Sequence, residues 1–172
     1  MPSAVEVKAV DTATVRGEGG MRILQLIAVG FCLMLSTLAI AARPDSLRTV
    51  LDTHLAAINA RDLDALLSTV TTGEKLTLIL PNGKVLRTRE EYRKLHVEWF
   101  GESDWRMQFD VDSLQEFGDV GVALVKYRSQ SKQADGSYET KREAWLSLTF
   151  AKEKGRWHLV YDQNTVIPAA AN

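Results

Sequence analysis

The segment LILPNGKVLRTREEY, residues 78–92, combines a strand, a turn, a second strand and a helix start. An apolar run that begins at Lys75 ends at Pro81-Asn82-Gly83, where Pro and Gly favour a tight turn, and Lys84–Arg87 returns as the second strand. Thr88 is followed three residues later by a Glu, the spacing of a capping box in which each side chain satisfies a backbone N–H at a helix start. The segment therefore predicts a β-hairpin that leads directly into an α-helix.

Helical periodicity continues on both sides of the hairpin. Ser46 precedes the first predicted helix, Asp62 caps the second, and Thr71-Thr72-Gly73 ends it. The third helix begins at Thr88 and ends at Gly101. The apolar stripe of the first helix contains Leu47, Val50, Leu51, Leu55 and Ile58, and that of the second contains Leu63, Leu66, Leu67 and Val70.

The C-terminal half of the chain alternates apolar and polar residues with a period of two, which is typical of strands. Four long strands are predicted, beginning near Trp105, Val120, Tyr138 and Trp157 and separated by glycine-containing turns. The order of helix, helix, hairpin, helix and four strands predicts an α+β fold with the helices on one side of a curved antiparallel sheet. Such a sheet leaves a cavity where its strands flare away from the helices.

Two segments resemble the nuclear transport factor 2-like superfamily, and within it the SnoaL-like small domains: residues 78–92 and GRWHLVYDQNT, residues 155–165. The resemblance implies a cone-shaped, curved antiparallel sheet wrapped around three N-terminal helices, over residues 43–168, often as a homodimer. Ketosteroid isomerases, dehydratases, polyketide cyclases and non-catalytic association domains share this fold, so the fold does not select a function. Tyr161 and Gln163 replace two histidines that are common in the family's ending.

Residues 21–42, MRILQLIAVGFCLMLSTLAIAA, have the layout of a signal peptide: one Arg, a long apolar run and an Ala-Ile-Ala cleavage box. The alternative is a retained membrane anchor, since the apolar run is about long enough to span a bilayer. Either interpretation predicts a periplasmic or secreted domain that contacts the membrane only through this segment. Residues 1–20 are interpreted as a misannotated or disordered extension, and residues 169–172 as a tail.

The composition excludes several classes of function. The formal net charge is −1, with no basic cluster, which argues against nucleic acid as a partner. The only Cys, Cys32, lies in the predicted signal, so the mature domain has no disulfide or thiolate ligand. Three His without ligand spacing predict no metal site, and no nucleotide-binding or hydrolase motif is present, so no cofactor is expected.

Three side chains are candidates for proton transfer: Asp162, Tyr161 and His96. A carboxylate that is desolvated by aromatic walls becomes more basic, which makes Asp162 the candidate general base. Tyr161 is a candidate hydrogen-bond donor to a carbonyl or enolate, and His96 a candidate acid. Alternation places Asp162 and Asn164 on one face of the last strand and Leu159 and Tyr161 on the other. Each candidate also has a purely structural interpretation, as a satisfied side chain of the core or of a strand end.

The candidates for ligand contact come from the strands and the third helix. Cationic side chains on the strands are suited to an anionic ligand group, although a solvated strand face explains them equally well. Tryptophans are suited to a hydrophobic wall, although core packing explains them too. These residues are Lys126, Arg128, Asn164, Trp99 and Trp145, and Arg142 has the same two interpretations as the other cations.

Two functional hypotheses follow. The first is a non-catalytic exported domain that binds a small apolar ligand or a partner, as a homodimer. The alternative is a small lyase or isomerase that transfers a proton on an apolar carbonyl compound. The second hypothesis requires Asp162 and another titratable group to converge in one closed pocket.

Overall fold

A computed structural model describes residues 45–168 of the chain. The predicted extension (1–20), signal (21–42) and tail (169–172) therefore lie outside the described residues. Within the described range, no helix is long and apolar enough to cross a membrane. The helices are α1 (Leu47–Ala60), α2 (Leu63–Ser68) and α3 (Arg89–Phe100), and the strands are β1 (Lys75–Ile79), β2 (Val85–Thr88), β3 (Trp105–Phe117), β4 (Val120–Lys132), β5 (Tyr138–Glu153) and β6 (Arg156–Val166).

The six strands of the described residues form one curved sheet in the order β2-β1-β6-β5-β4-β3. The predicted sheet was purely antiparallel, and this detail is wrong, because β1 and β6 pair in parallel, with Leu78 opposite Asp162. The chain runs through α3 and three long strands before β6 returns beside β1, and a long connection of this kind permits parallel pairing. The sheet is therefore mixed, within an α+β fold.

Side-chain caps fix where the helices begin. Ser46 accepts a hydrogen bond from the Thr49 N–H, and Asp62 caps α2 in the same way. The capping box at Thr88 is formed as predicted, with the Glu91 carboxylate accepting from the backbone at the helix start. The second helix is shorter than predicted: it ends at Ser68, because the backbone at Val70 pairs with Leu159 instead of continuing the helix.

The helix α1 packs closely against the sheet at Gly121. Leu47 at the start of α1 is fully buried, and a Cβ at Gly121 of β4 would lie only 2.5 Å from its Cδ2. A side chain at position 121 would therefore keep α1 from approaching the sheet this closely. Phe150 and Leu159, which pair across β5 and β6 beside Gly121, are also fully buried.

A β-bulge at Val160 changes which residues of β6 face the helices. Phe150 pairs with Leu159 and Thr149 with Tyr161, so Val160 is the extra residue. Leu159 and Asp162 consequently are both buried, while Tyr161 between them is only half-buried. Simple alternation placed Leu159 and Asp162 on opposite faces, and this prediction was wrong because it did not include the bulge.

Candidate functional site

A cavity of about 260 Å³ lies between the helices and the sheet. Its apolar wall is formed by side chains from both helices and strands. Polar groups project into it from α3 and from β4, β5 and β6. The wall includes Ile58, Leu78, Leu80, Leu95, Trp99, Met107, Phe109 and Leu146, and the polar groups are His96, Tyr127, Ser129, Arg142, Asp162 and Asn164.

Asp162 is the most perturbed acid of the cavity. It lies on a central strand between Leu78 of β1 and Leu148 of β5, and only 7% of its surface is exposed. Burial raises the pKa of Asp162 from 3.8 to about 8, because the ionised carboxylate loses its hydration. Asp162 is therefore mainly protonated at neutral pH and titrates close to it.

Asn164 and Tyr127 connect this carboxyl to the rest of the cavity. The Asn164 Nδ2 donates to the Ile79 carbonyl at 3.0 Å and to the Asp162 Oδ1 at 3.3 Å, and its Oδ1 accepts from the Tyr127 hydroxyl at 2.9 Å. Burial raises the pKa of Tyr127, and the nearby Arg142 guanidinium partly opposes this rise. These contacts hold the Asp162 carboxyl in one orientation.

His96 is a neutral imidazole on the helix side of the cavity. Burial lowers its pKa to about 4. Its Nδ1 lies 2.8 Å from the Tyr92 carbonyl, and since a carbonyl only accepts, Nδ1 carries the proton and Nε2 has a free lone pair. The His96 ring packs against the Tyr92 ring in a tilted arrangement, with 4.1 Å between ring centroids and 33° between the ring planes. His96 can thus accept a hydrogen bond from a bound molecule.

A second layer of buried polar groups lies behind His96. Burial lowers the pKa of His54 to about 3, and the repulsion that two protonated imidazoles at His54 and His96 would have adds to this effect. The His54 Nδ1 bonds to the Thr69 hydroxyl, whereas its Nε2 and the Tyr92 hydroxyl have no hydrogen-bond partner within residues 45–168. Desolvation and the charge of Asp162 raise the pKa of Tyr92, so its hydroxyl stays neutral. Buried unpaired polar atoms are costly, and they mark this layer as a place where water or a ligand completes the hydrogen bonding.

Four of the predicted site residues line the cavity: Asp162, His96, Asn164 and Trp99. The other four do not line it: Tyr161, Lys126, Arg128 and Trp145 alternate with cavity-side or buried residues along their strands. The sequence could not show which face of β4 meets the helices, and it is the face of Val125 and Tyr127.

Two of the four displaced residues have local contacts instead. Lys126 forms an ion pair with Glu143 at 3.0 Å on the opposite face of the sheet. The Tyr161 hydroxyl donates to the Gln163 Oε1 at 2.7 Å. Because these side chains point away from the cavity, they cannot contact a ligand bound within it. Tyr127 and Ser129 occupy the cavity side of β4, a position that alternation from the apolar Val125 would have indicated.

Among the described residues, no three His, Cys, Asp or Glu side chains are grouped so as to hold a metal ion.

Comparison with protein families identifies the fold. The family model described as "SnoaL-like domain" matches residues 47–169, which includes every helix and strand given above. The chain belongs to the SnoaL-like domain family. This family is part of the nuclear transport factor 2-like superfamily, as the sequence motifs indicated. A search of curated proteins found no match.

Solved structures with the same fold differ widely in what they are described as doing. A candidate calcium/calmodulin-dependent kinase II association domain from Thiobacillus denitrificans is 16% identical, with a TM-score of 0.63, covering 73% of this chain and 98% of its own. A candidate dehydratase of the same superfamily from Streptomyces avermitilis is 15% identical (TM-score 0.61, 72% and 94%). A ketosteroid isomerase-like protein from Erwinia carotovora atroseptica is 15% identical (TM-score 0.59, 76% and 100%). At these identities the likeness shows the fold alone.

Proposed function

We propose that this SnoaL-like domain binds a small, mainly apolar carbonyl compound in its cavity and that Asp162 transfers a proton on it, as an isomerase or lyase. The observation that carries this proposal is the convergence of Asp162, whose pKa is near 8, with the neutral His96 in one largely apolar cavity. A second titratable group beside Asp162 is the condition that proton-transfer chemistry sets. Structures of similar fold described as a dehydratase and as ketosteroid isomerase-like lend general support.

A carboxyl group with a pKa near 8 is suited to moving a proton in both directions. At pH 7 roughly a tenth of the molecules carry the carboxylate that removes a proton, and this form is more basic than an ordinary Asp. Once protonated, the same group returns the proton to another carbon. The apolar wall favours this cycle, because water would otherwise compete for the proton.

The neighbouring polar groups have positioning roles. Asn164 donates to the Asp162 carboxyl, and Tyr127 in turn donates to Asn164, so both keep the carboxyl aimed into the cavity. The free Nε2 of His96 accepts a hydrogen bond from a hydroxyl of the bound molecule. Positioning of this kind contributes to catalysis because a misplaced carboxyl transfers protons slowly.

Binding without catalysis is the second candidate function, and it is favoured by the departure from the family's ending at Tyr161 and Gln163. Tyr161 points away from the cavity and bonds to Gln163, so neither supplies a catalytic group there. In this case Asp162 acts only as a hydrogen-bond donor to the ligand. Both functions predict a bound molecule, and only the catalytic function predicts that this molecule is converted to a product.

A small β,γ-unsaturated ketone, 3-cyclohexen-1-one, tests the proposal. The Asp162 carboxylate removes a proton from the carbon between the carbonyl and the double bond, the electron pair moves onto the oxygen as a dienolate, and the proton returns at the γ-carbon to give 2-cyclohexen-1-one. Ultraviolet absorbance of the conjugated product gives the rate. Asp162→Asn should lower kcat by about 10²–10⁴-fold, whereas Asp110→Asn, which changes an exposed acid of β3, should not.

Binding is measured separately with 2-naphthol, whose aromatic body and single hydroxyl suit this cavity and whose fluorescence reports its environment. Asp162→Asn should keep naphthol affinity within about threefold, since Asn retains the shape of Asp and its ability to hydrogen-bond. The rate of the wild-type protein should rise with pH and level off above about pH 8. Naphthol binding without any turnover of the ketone would support the binding function instead, and no binding at all would refute both.

We also propose that residues 21–42 direct the domain out of the cytoplasm, and that it forms a homodimer. N-terminal sequencing of protein recovered from the periplasm or medium tests the first proposal: a mature protein that begins after residue 42 is expected, and a cytoplasmic protein retaining residues 21–42 would refute it. Sedimentation analysis tests the second, for which a monomer at micromolar concentration would be contrary evidence.

A further inference from the structure

A cationic side chain without a carboxylate partner lies at the rim of the cavity. Arg142 lines the cavity from β5, is exposed, and forms no ion pair within residues 45–168. On the opposite face of the same strand, Glu143 neutralises Lys126 at 3.0 Å. Arg142 has no such carboxylate beside it, and its guanidinium lies near the Tyr127 hydroxyl instead.

A hydroxyl group lies beside this guanidinium. Ser129 of β4 pairs with Arg142 in the sheet register, so the two residues are direct neighbours across the strands, and both line the cavity. A guanidinium presents several N–H groups in a planar fork that matches the two oxygens of a carboxylate. Together with the Ser129 hydroxyl, Arg142 provides the set of donors that an anionic group requires.

A short chain of polar groups connects the cation to the buried acid. The Arg142 guanidinium lies near enough to the Tyr127 hydroxyl to act against the rise of its pKa. That hydroxyl donates to Asn164, and Asn164 donates to the Asp162 carboxyl. Apolar side chains, among them Phe109 and Leu146, line the same cavity.

We infer that Arg142 and Ser129 bind an anionic group, and that the ligand is a small monoanion with an apolar body and a carboxylate at one end. This inference rests on the proposed function, since it specifies the molecule that fills the same cavity. The carboxylate lies at the rim, the apolar body lies along the wall, and the reacting end reaches Asp162. Because Asp162 is mainly protonated at neutral pH, it adds no negative charge that would repel such a ligand.

Matched ligands that differ only in charge test this inference. Binding of 4-phenylbutanoate and of its neutral amide, 4-phenylbutanamide, is measured by isothermal titration calorimetry at low salt. The wild-type protein should bind the carboxylate about tenfold more tightly than the amide, the ratio expected for one charge-assisted contact. Arg142→Gln should abolish this preference without weakening the amide.

The control is Arg128→Gln, which removes the same charge from an exposed residue on the other face of β4. It should leave the preference for the carboxylate intact. Equal binding of the two ligands by the wild-type protein, or equal losses in both variants, would overturn the inference. If 2-naphthol still binds and the ketone is still isomerised in that case, the proposed function stands and only the anion site is wrong. If no probe binds, both fail.

Discussion

The face of the sheet that meets the helices has two ends with opposite properties. At the packed end, Gly121 lets Leu47 touch the sheet, and Phe150 beside it is fully buried. At the open end of the same two strands, Ser129 and Arg142 border the cavity. The same two strands therefore have a close-packed core at one end and a candidate binding site at the other.

This difference shows how one small domain provides both stability and a cavity. Large apolar side chains close-pack at one end and contribute most of the favourable free energy of folding. The other end leaves space unfilled and places polar groups there, which lowers stability. Asp162 lies at the boundary, since it pairs with the fully buried Leu148 and yet lines the cavity.

The largest effect should come from emptying the packed end. Phe150→Ala should lower the free energy of unfolding by about 3–5 kcal/mol, because it removes a fully buried ring and leaves a void that its neighbours cannot fill. Phe109→Ala removes the same ring from the cavity wall, where packing is already incomplete, and should cost about half as much. Urea unfolding of the two variants gives both values, and equal costs would contradict the division into two ends.

The next largest effect on stability should come from Asp162, which lies between the packed end and the cavity. The pKa of Asp162 is raised on folding, so its contribution to stability is present below about pH 4 and is lost as the pH rises towards 8. The variant Asp162→Asn has no carboxyl group to ionise, so it does not lose stability in this way. It should therefore have a higher free energy of unfolding than the wild type near pH 8, by several kcal/mol and at most about 5. At pH 4 the variant and the wild type should differ little.

Thermal unfolding at a series of pH values checks whether Asp162→Asn is more stable than the wild type near pH 8. A variant that is less stable than the wild type at pH 8 would show that the carboxylate is ionised and satisfied in the fold. Asp110→Asn, at an exposed position, should show no comparable dependence on pH.

The smallest effect compares two tyrosines on opposite faces. The Tyr127 hydroxyl donates to Asn164 at the cavity, so Tyr127→Phe should cost about 1 kcal/mol and should weaken the orientation of Asp162. Tyr161→Phe removes a hydroxyl that bonds only to a neighbour on its own strand, and should change stability by less than about 0.5 kcal/mol. Equal effects on the rate of ketone isomerisation would refute the assignment of the two faces.

Local sequence signals predicted most of the fold. The capping box at Thr88, the hairpin turn after Leu80 and the alternation in the long strands each depend on neighbouring residues, and all three are present in the structure. The parallel pairing of β1 with β6 depends on residues far apart in sequence, and no local pattern encodes it. The same is true of the end of α2, where Val70 leaves the helix to pair with Leu159.

The site was predicted only in part, because contacts between residues far apart in the sequence decide it. Alternation correctly placed Asp162 and Tyr161 on opposite faces of the last strand. It also placed Leu159 and Asp162 on opposite faces, whereas the bulge at Val160 brings them to the same face. For β4, alternation gave two faces without saying which one meets the helices, so Lys126 was assigned to the ligand although it faces the other way. Burial and pKa values arise from the whole assembly, and they cannot be read from one strand.

The position of β6 has a consequence for how the domain is made. Among the strands of residues 45–168, the one that is synthesised last lies in the middle of the sheet, between β1 and β5, and not at its edge. Until Arg156–Val166 has been synthesised, the first hairpin has no neighbour to join and the nascent chain cannot close its core. A premature stop before this strand would split the sheet in two, so the order of synthesis and the order of assembly differ.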